Sequence, residues 1–266
     1  MVMDSVIKIE KLKFKYRQNQ VLDDLTFSIK PGQVTAILGA NGCGKTTLLK
    51  LIMGLLRTRE GTIHIADREI KQYSPHKLAR KIAYVPQAHA AVFPYSVREI
   101  VAMGRETMRG CFRREGPASR DYVDAALDRL GINCLSDRIY SELSGGERQM
   151  VLIARALAQE TSVIVMDEPV SGLDFGNQIK LLEIVRELAD SGLAIIKSTH
   201  FPEHALMCAD RAILLHKGKL LADGSPEEAV NSSNLMKIYN IGVNVLTLPD
   251  GSLYCRPELR KNAFTL

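Results

Sequence analysis

The sequence predicts an α/β fold: a largely parallel core built around a phosphate-binding loop, with an N-terminal antiparallel β-subdomain and an α-helical subdomain. Three observations predict it. First, Gly39-Ala40-Asn41-Gly42-Cys43-Gly44-Lys45-Thr46-Thr47 fits G-x-x-x-x-G-K-[ST], between the apolar strand Val34 to Leu38 and the apolar helical segment Leu48 to Met53. Second, residues 6 to 16 and 21 to 29 alternate apolar and polar side chains, the mark of strands wet on one face. Third, residues 88 to 160 turn helical in period, after which buried-strand runs return at Val163 to Met166 and Leu193 to Ile196.

Taken in order, the two opening strands flank a turn at Gln18-Asn19-Gln20, and Pro31-Gly32 turns the chain into the strand before the loop. Lys8, Lys11, Lys13, Lys15 and Arg17 interleave with Ile9, Leu12, Phe14 and Tyr16, which reads as the wet face of an edge strand. That alternation outweighs a nucleic-acid footprint as the reason for the lysines, and the Arg-rich segment Arg105 to Arg114 is open to both readings. Gly54 ends the loop helix; a strand at Thr62 to Ile65, a helix at Pro75 to Lys81 and a strand at Ile82 to Val85 follow. Ser96-Val-Arg-Glu99 is a capping box for a helix running to Met103. Tyr122, Val123, Ala126, Leu127 and Leu130 mark a second helix with Gly131 as its C-cap, and a third begins after Ser144-Gly145-Gly146. A helix from Asn177 to Asp190 separates the two later strands. Beyond them come a hairpin about Lys217-Gly218, a capped helix start at Ser225-Pro226, and a final hairpin from Val243 to Cys255.

The motifs carry the chemistry. Glycines let successive backbone N–H groups converge, and a helix N-terminus adds positive potential, so the Gly39 to Thr47 loop cradles phosphates. Lys45 reaches the β- and γ-phosphates and the Thr46 hydroxyl can ligate Mg²⁺. Val163-Ile-Val-Met-Asp167-Glu168 is a buried strand ending in two carboxylates: Asp167 suits Mg²⁺, and Glu168 suits a general base for water. Leu143-Ser144-Gly145-Gly146-Glu147 precedes a helix and makes a second anion site. One nucleotide does not need two phosphate cradles on one chain.

That redundancy is resolved by a resemblance. The chain resembles the ATP-binding cassette family, the ATPase subunits of ABC transporters, in which Leu-Ser-Gly-Gly-Gln/Glu is the signature motif. The resemblance implies a RecA-like P-loop NTPase core with an antiparallel β-subdomain and an α-helical signature subdomain, hydrolysing ATP with Mg²⁺. It implies core residues 1–87 and 160–225, a helical subdomain at 88–159 and a C-terminal extension at 226–266. It also implies a head-to-tail homodimer, in which Leu143 to Glu147 completes the partner's site. Tyr16 resembles the adenine-stacking aromatic, with a role as a strand core residue the alternative and Phe14 close by. Gln87 resembles the Q-loop glutamine at Mg²⁺ and the attacking water. Asp174, in Ser171-Gly-Leu-Asp174, resembles the D-loop, and His200 resembles the switch histidine at the γ-phosphate. Val170 stands where the family commonly has Thr.

Phe93-Pro-Tyr-Ser-Val-Arg-Glu-Ile-Val-Ala-Met-Gly-Arg105 and Phe175-Gly-Asn-Gln178 are similar to the type II importer subgroup, which takes up ferric siderophores, haem, cobalamin and related metal chelates. This implies two permease subunits docking near Gln87 and Phe93 to Arg105, a periplasmic or surface binding protein acting indirectly, and a peripheral place on the cytoplasmic face of the prokaryotic inner membrane. No nucleic-acid partner is expected. Two alternatives belong to other classes: a soluble ABC ATPase of translation or DNA repair, which would carry two cassettes or a long coiled coil, and a phosphate-loop kinase, which would leave the signature unused.

Composition sets the outer bounds. The chain has 266 residues, 46% hydrophobic and 24% charged, with net charge +5, ordinary for a globular protein with ample core. No apolar run approaches the roughly 18 residues that span a bilayer, and the first residues lack the pattern of a secretory signal. Five cysteines at 43, 111, 134, 208 and 255 show no paired spacing, so free thiols are expected, with no zinc and no disulfide. Cys43, beside a helix N-terminus, is either a reactive thiol of lowered pKa or a small residue that fits the loop.

Overall fold

Residues 5–87, 93–108 and 117–258 are described by a computed structural model of the chain. β1 (Ile7–Tyr16) buries Ile7, Ile9 and Leu12 and turns its lysines outward. It pairs antiparallel with β2 (Asn19–Ile29) and with β4 (Glu60–Ile65), and β5 (Arg68–Glu69) completes a sheet of order β2-β1-β4-β5. The lysine-rich strand is therefore interior, not an edge. Alternation reports which face is wet and is silent on how many neighbours a strand has. Past Lys13, however, β1 loses its pairing to β4, so Lys15 to Arg17 project at the rim. The turn falls at Arg17-Gln18, with Arg17 at φ +52°, and Asn19 and Gln20 already belong to β2.

The second sheet has order β10-β9-β3-β8-β7-β6. Here β3 (Val34–Leu38), β6 (Ile82–Val85), β7 (Val163–Met166), β8 (Ala194–Thr199) and β9 (Arg211–His216) run parallel, and β10 (Lys219–Gly224) is an antiparallel edge. Every residue of β3, β7 and β8 is buried, as strands covered on both faces should be, the polar Thr35, Lys197, Ser198 and Thr199 included. On one face α1 (Lys45–Ile52) inserts Leu48, Leu49, Leu51 and Ile52 between this sheet and the antiparallel one, and a single apolar cluster joins all three. On the other face pack α3 (Val97–Ala102), α4 (Pro117–Arg129), α5 (Gly145–Ala158) and α6 (Phe175–Asp190).

Helix α2 (Pro75–Ala79) stops short of the expected Lys81, and α6 starts at Phe175 because Asp174 caps it. α8 (Pro226–Ala229) and the hairpin β11 (Val243–Thr247)–β12 (Leu253–Pro257) follow the expected order. Two helices were not foreseen, α7 (Pro202–Cys208) and α9 (Ser232–Tyr239). Cys43, Cys134, Cys208 and Cys255 are free thiols. Cys111, the Arg-rich stretch beyond Met108 and the residues just after Gln87 lie outside the described residues. No described helix is long and apolar enough to cross a membrane.

Candidate active site

The phosphate loop joins the carboxyl end of β3 to α1. Gly44, at φ +110°, occupies backbone space closed to side chains, and a Cβ there would lie 2.6 Å from Leu22 Cδ2. No side chain caps α1 and its first turn holds no acid, so its leading amides face outward with the helix potential unopposed. Lys45 is buried. Its Nζ donates to the carbonyls of Gly39 (2.8 Å) and Ala40 (3.3 Å) and stands 3.4 Å from Glu168 Oε1. Ala40 and Thr47 are half-buried, whereas Asn41, Gly42 and Thr46 are exposed. Cys43 is buried against this loop, and desolvation pushes its thiol up, overriding the pull of nearby Lys45. Burial and the raised thiol favour the reading of Cys43 as a small residue that fits the loop over that of a reactive thiol.

Strand β7 delivers Asp167 and Glu168. Neighbouring β8 supplies Ser198, fully buried, whose hydroxyl donates to Asp167 Oδ1 (2.6 Å) and accepts from the Glu168 amide (2.9 Å). Glu168 turns into the left-handed region at φ +46°, uncommon for a residue with a Cβ. Its carboxylate lies between two cations or potential cations, with Oε2 3.2 Å from His200 Nδ1, within ion-pair reach but outside hydrogen-bond alignment. His200 follows β8 directly. Its carbonyl accepts a 2.7 Å hydrogen bond from the Tyr239 hydroxyl on α9, a phenol pushed up chiefly by burial. Sequence reasoning missed both Ser198 and Tyr239. Gln87 donates from Nε2 to Ser171 Oγ (3.0 Å), tying the end of β6 to the segment that leads to Asp174.

The 143–147 segment is a helix start built for rigidity. Ser144 caps α5, its hydroxyl accepting from the Glu147 amide (3.3 Å) while Glu147 Oε2 accepts from the Ser144 amide (2.8 Å). These bonds hold the Glu147 carboxyl below the usual range. Leu143 is buried beneath, and a Cβ on Gly146 would lie 2.8 Å from Asn177 Cγ, so α5 and α6 begin side by side. Asp174 accepts from the Asn177 amide (2.9 Å), which keeps its carboxyl low. Among the described residues, no hydrogen bond or ion pair connects Leu143–Glu147 with Lys45, Glu168 or His200.

Tyr16 sits at the end of β1, 45% exposed and edge-on to Phe14 with centroids 4.8 Å apart, so it is not a core residue. Phe93 and Tyr95 present exposed rings 6.1 Å apart ahead of α3. Arg105, at the far end of that stretch, donates to the Ala158 carbonyl and to Glu160 Oε2 (both 2.8 Å) and stacks 3.9 Å from the Tyr122 centroid.

The ABC transporter family pattern matches residues 22–171. An ABC transporter ATP-binding protein of Haemophilus influenzae is 39% identical over 91% of this chain and 92% of its own length. A hemin import ATP-binding protein of Rhodopseudomonas palustris is 34% identical, covering 97% of this chain and 96% of its own. Among solved structures, a metal-chelate type ABC transporter in an inward-facing conformation superposes with a TM-score of 0.85 and 32% identity, over 97% of this chain and 98% of that one.

Proposed function

This chain belongs to the ABC transporter family, and on that premise we propose that it is the ATP-hydrolysing subunit of an importer for a metal chelate such as a ferric siderophore, haem or cobalamin. The observation that carries the catalytic part is the Glu168 carboxylate, set 3.4 Å from Lys45 Nζ and 3.2 Å from His200 Nδ1. Relatives named as hemin and molybdate import proteins disfavour a role in translation or DNA repair.

In this reading ATP lies with its phosphates over the Gly39–Thr47 amides and its adenine against Tyr16. Lys45 shifts its ammonium from the loop carbonyls to the β- and γ-phosphates. Glu168 takes a proton from a water as that water's oxygen bonds to the γ-phosphorus and the bond to the bridging oxygen breaks, releasing ADP and phosphate. His200 and, from a second copy, Ser144 donate to the γ-phosphate oxygens. Asp174 of each copy stands at the seam, and Gln87 orients the water.

The donor set suits Mg²⁺. Thr46 offers an exposed hydroxyl, Asp167 a carboxylate fixed by Ser198, and Gln87 a carbonyl oxygen to which no described residue donates while its amide nitrogen donates to Ser171. Bound there, the ion would neutralise charge on the phosphate oxygens.

Two copies closing head to tail on two ATP would drive two permease subunits, gripped near Gln87 and through Phe93 and Tyr95. The chain would then sit peripherally on the cytoplasmic face of the inner membrane. Co-purification with a permease encoded beside it, followed by reconstitution, tests this. Stimulation of ATP turnover by a chelate-loaded binding protein is expected; stimulation by ribosomes or DNA instead would overturn it.

A further inference from the structure

The rim of the antiparallel sheet, where β1 ends at Tyr16, carries an unbalanced charge. A cleft of about 430 Å³ is lined by Lys13, Lys15, Arg17, Arg57 and Arg59 against one carboxylate, Glu60. Lys13 is 3.5 Å from Asp23, an acid it shares with Lys219. No described residue forms an ion pair or hydrogen bond with the side chains of Lys15, Arg17, Arg57 or Arg59. This local excess is close to the whole chain's +5. Surfaces ordinarily intersperse the two signs, because like charges in a concavity repel and focus their field outward. The backbone gathers these side chains: Thr58 donates to the Lys13 and Glu60 carbonyls, tying the 57–60 segment to the end of β1.

We propose that this cleft binds a partner presenting several phosphate charges at once, a free polyphosphate or a surface of anionic lipid headgroups. A monocarboxylate would neutralise only one of the cations, whereas phosphate oxygens match the fork of each arginine and serve several at once. The Arg57–Thr58 segment also walls a neighbouring pocket of about 250 Å³ lined by Leu51, Ile63, Tyr73 and Leu78, which a lipid could use and a free polyphosphate could not. Lys15 and Arg17 flank Tyr16 in sequence, so a bound anion would steady the strand end that presents its ring.

Isothermal titration of the full chain with tripolyphosphate tests this, alongside co-sedimentation with phosphatidylcholine vesicles with and without phosphatidylglycerol. Lys45→Ala weakens the phosphate loop's own grip and isolates the cleft. That variant should still bind one of the two probes, with affinity falling as salt rises. Adding Lys15→Ser, Arg17→Ser, Arg57→Ser and Arg59→Ser should weaken it by on the order of tenfold or more. Should that variant melt early, Arg57→Ser with Arg59→Ser alone is read instead. Binding of tripolyphosphate assigns a free polyphosphate; binding only of phosphatidylglycerol vesicles assigns a headgroup. If Lys45→Ala binds neither probe, or the serine variants bind as tightly as their parent, the cleft is not an anion site. Neither readout requires ATP turnover, so failure here leaves the proposed transport function standing.

Discussion

Ser198 Oγ, wholly buried on β8, lies 2.6 Å from Asp167 Oδ1 on β7 and accepts the Glu168 amide as well, so one hydroxyl orients both carboxylate-bearing residues. Removing it leaves Asp167 free to rotate and the Glu168 amide without its acceptor. Ser198→Ala is expected to raise the Mg²⁺ concentration for half-maximal ATP turnover by about 10–100-fold, the usual effect of losing a group that holds a metal ligand. An unchanged Mg²⁺ dependence would detach Asp167 from the metal.

Glu168→Gln keeps the size of the side chain and removes the proposed base. Turnover should fall by about 10²–10⁴-fold while nucleotide affinity, followed by fluorescence of a labelled ATP, persists. Wild-type turnover in that variant would assign the base elsewhere.

Ser144→Arg tests the second copy. The cap of α5 would be lost at a cost of about 1 kcal/mol, small enough for the fold to survive in a thermal melt. ATP binding to the monomer should be unaffected, because among the described residues no hydrogen bond or ion pair joins the 143–147 segment to Lys45, Glu168 or His200. Hydrolysis should stop. Normal turnover would rule out the head-to-tail dimer.

His204 supplies a pH dependence. Burial first, then the neighbouring Lys197 and His200 charges, bring it down to about 4 from an ordinary 6.5. Between those values the unfolded chain binds the proton that the folded one refuses, so stability is full above about pH 6.5 and declines as pH falls toward 4. The loss attributable to His204 between pH 7.5 and 5, to be read from urea midpoints at those two values, is about 2 kcal/mol. His204→Asn should flatten the difference; an equally steep decline in that variant would place its cause in other groups.

The legible parts of the proposed site are short continuous stretches of sequence. Gly39 to Thr47, and Ser144 to Glu147, are contiguous and announce themselves, as does Asp167-Glu168 at the end of an apolar run. Ser198 and Tyr239 leave no such trace, because a lone hydroxyl acquires its role only when strand order and a later helix bring it to Asp167 or His200. The interior position of β1 depends on β4, far along the chain. Helix α7 escaped notice because the face it buries holds His204 and Cys208 beside Ala205, which breaks the apolar period. For Cys43, proximity to a helix N-terminus argued one way and burial the other, and desolvation was the larger effect.

The Tyr239 hydrogen bond to the His200 carbonyl puts residues 226–258 mechanically in series with the histidine proposed to donate to the γ-phosphate. A truncation ahead of α9 would look like the trimming of a tail and behave as an active-site lesion. Turnover measured on shortened or C-terminally fused versions therefore reports the tail as much as the chemistry.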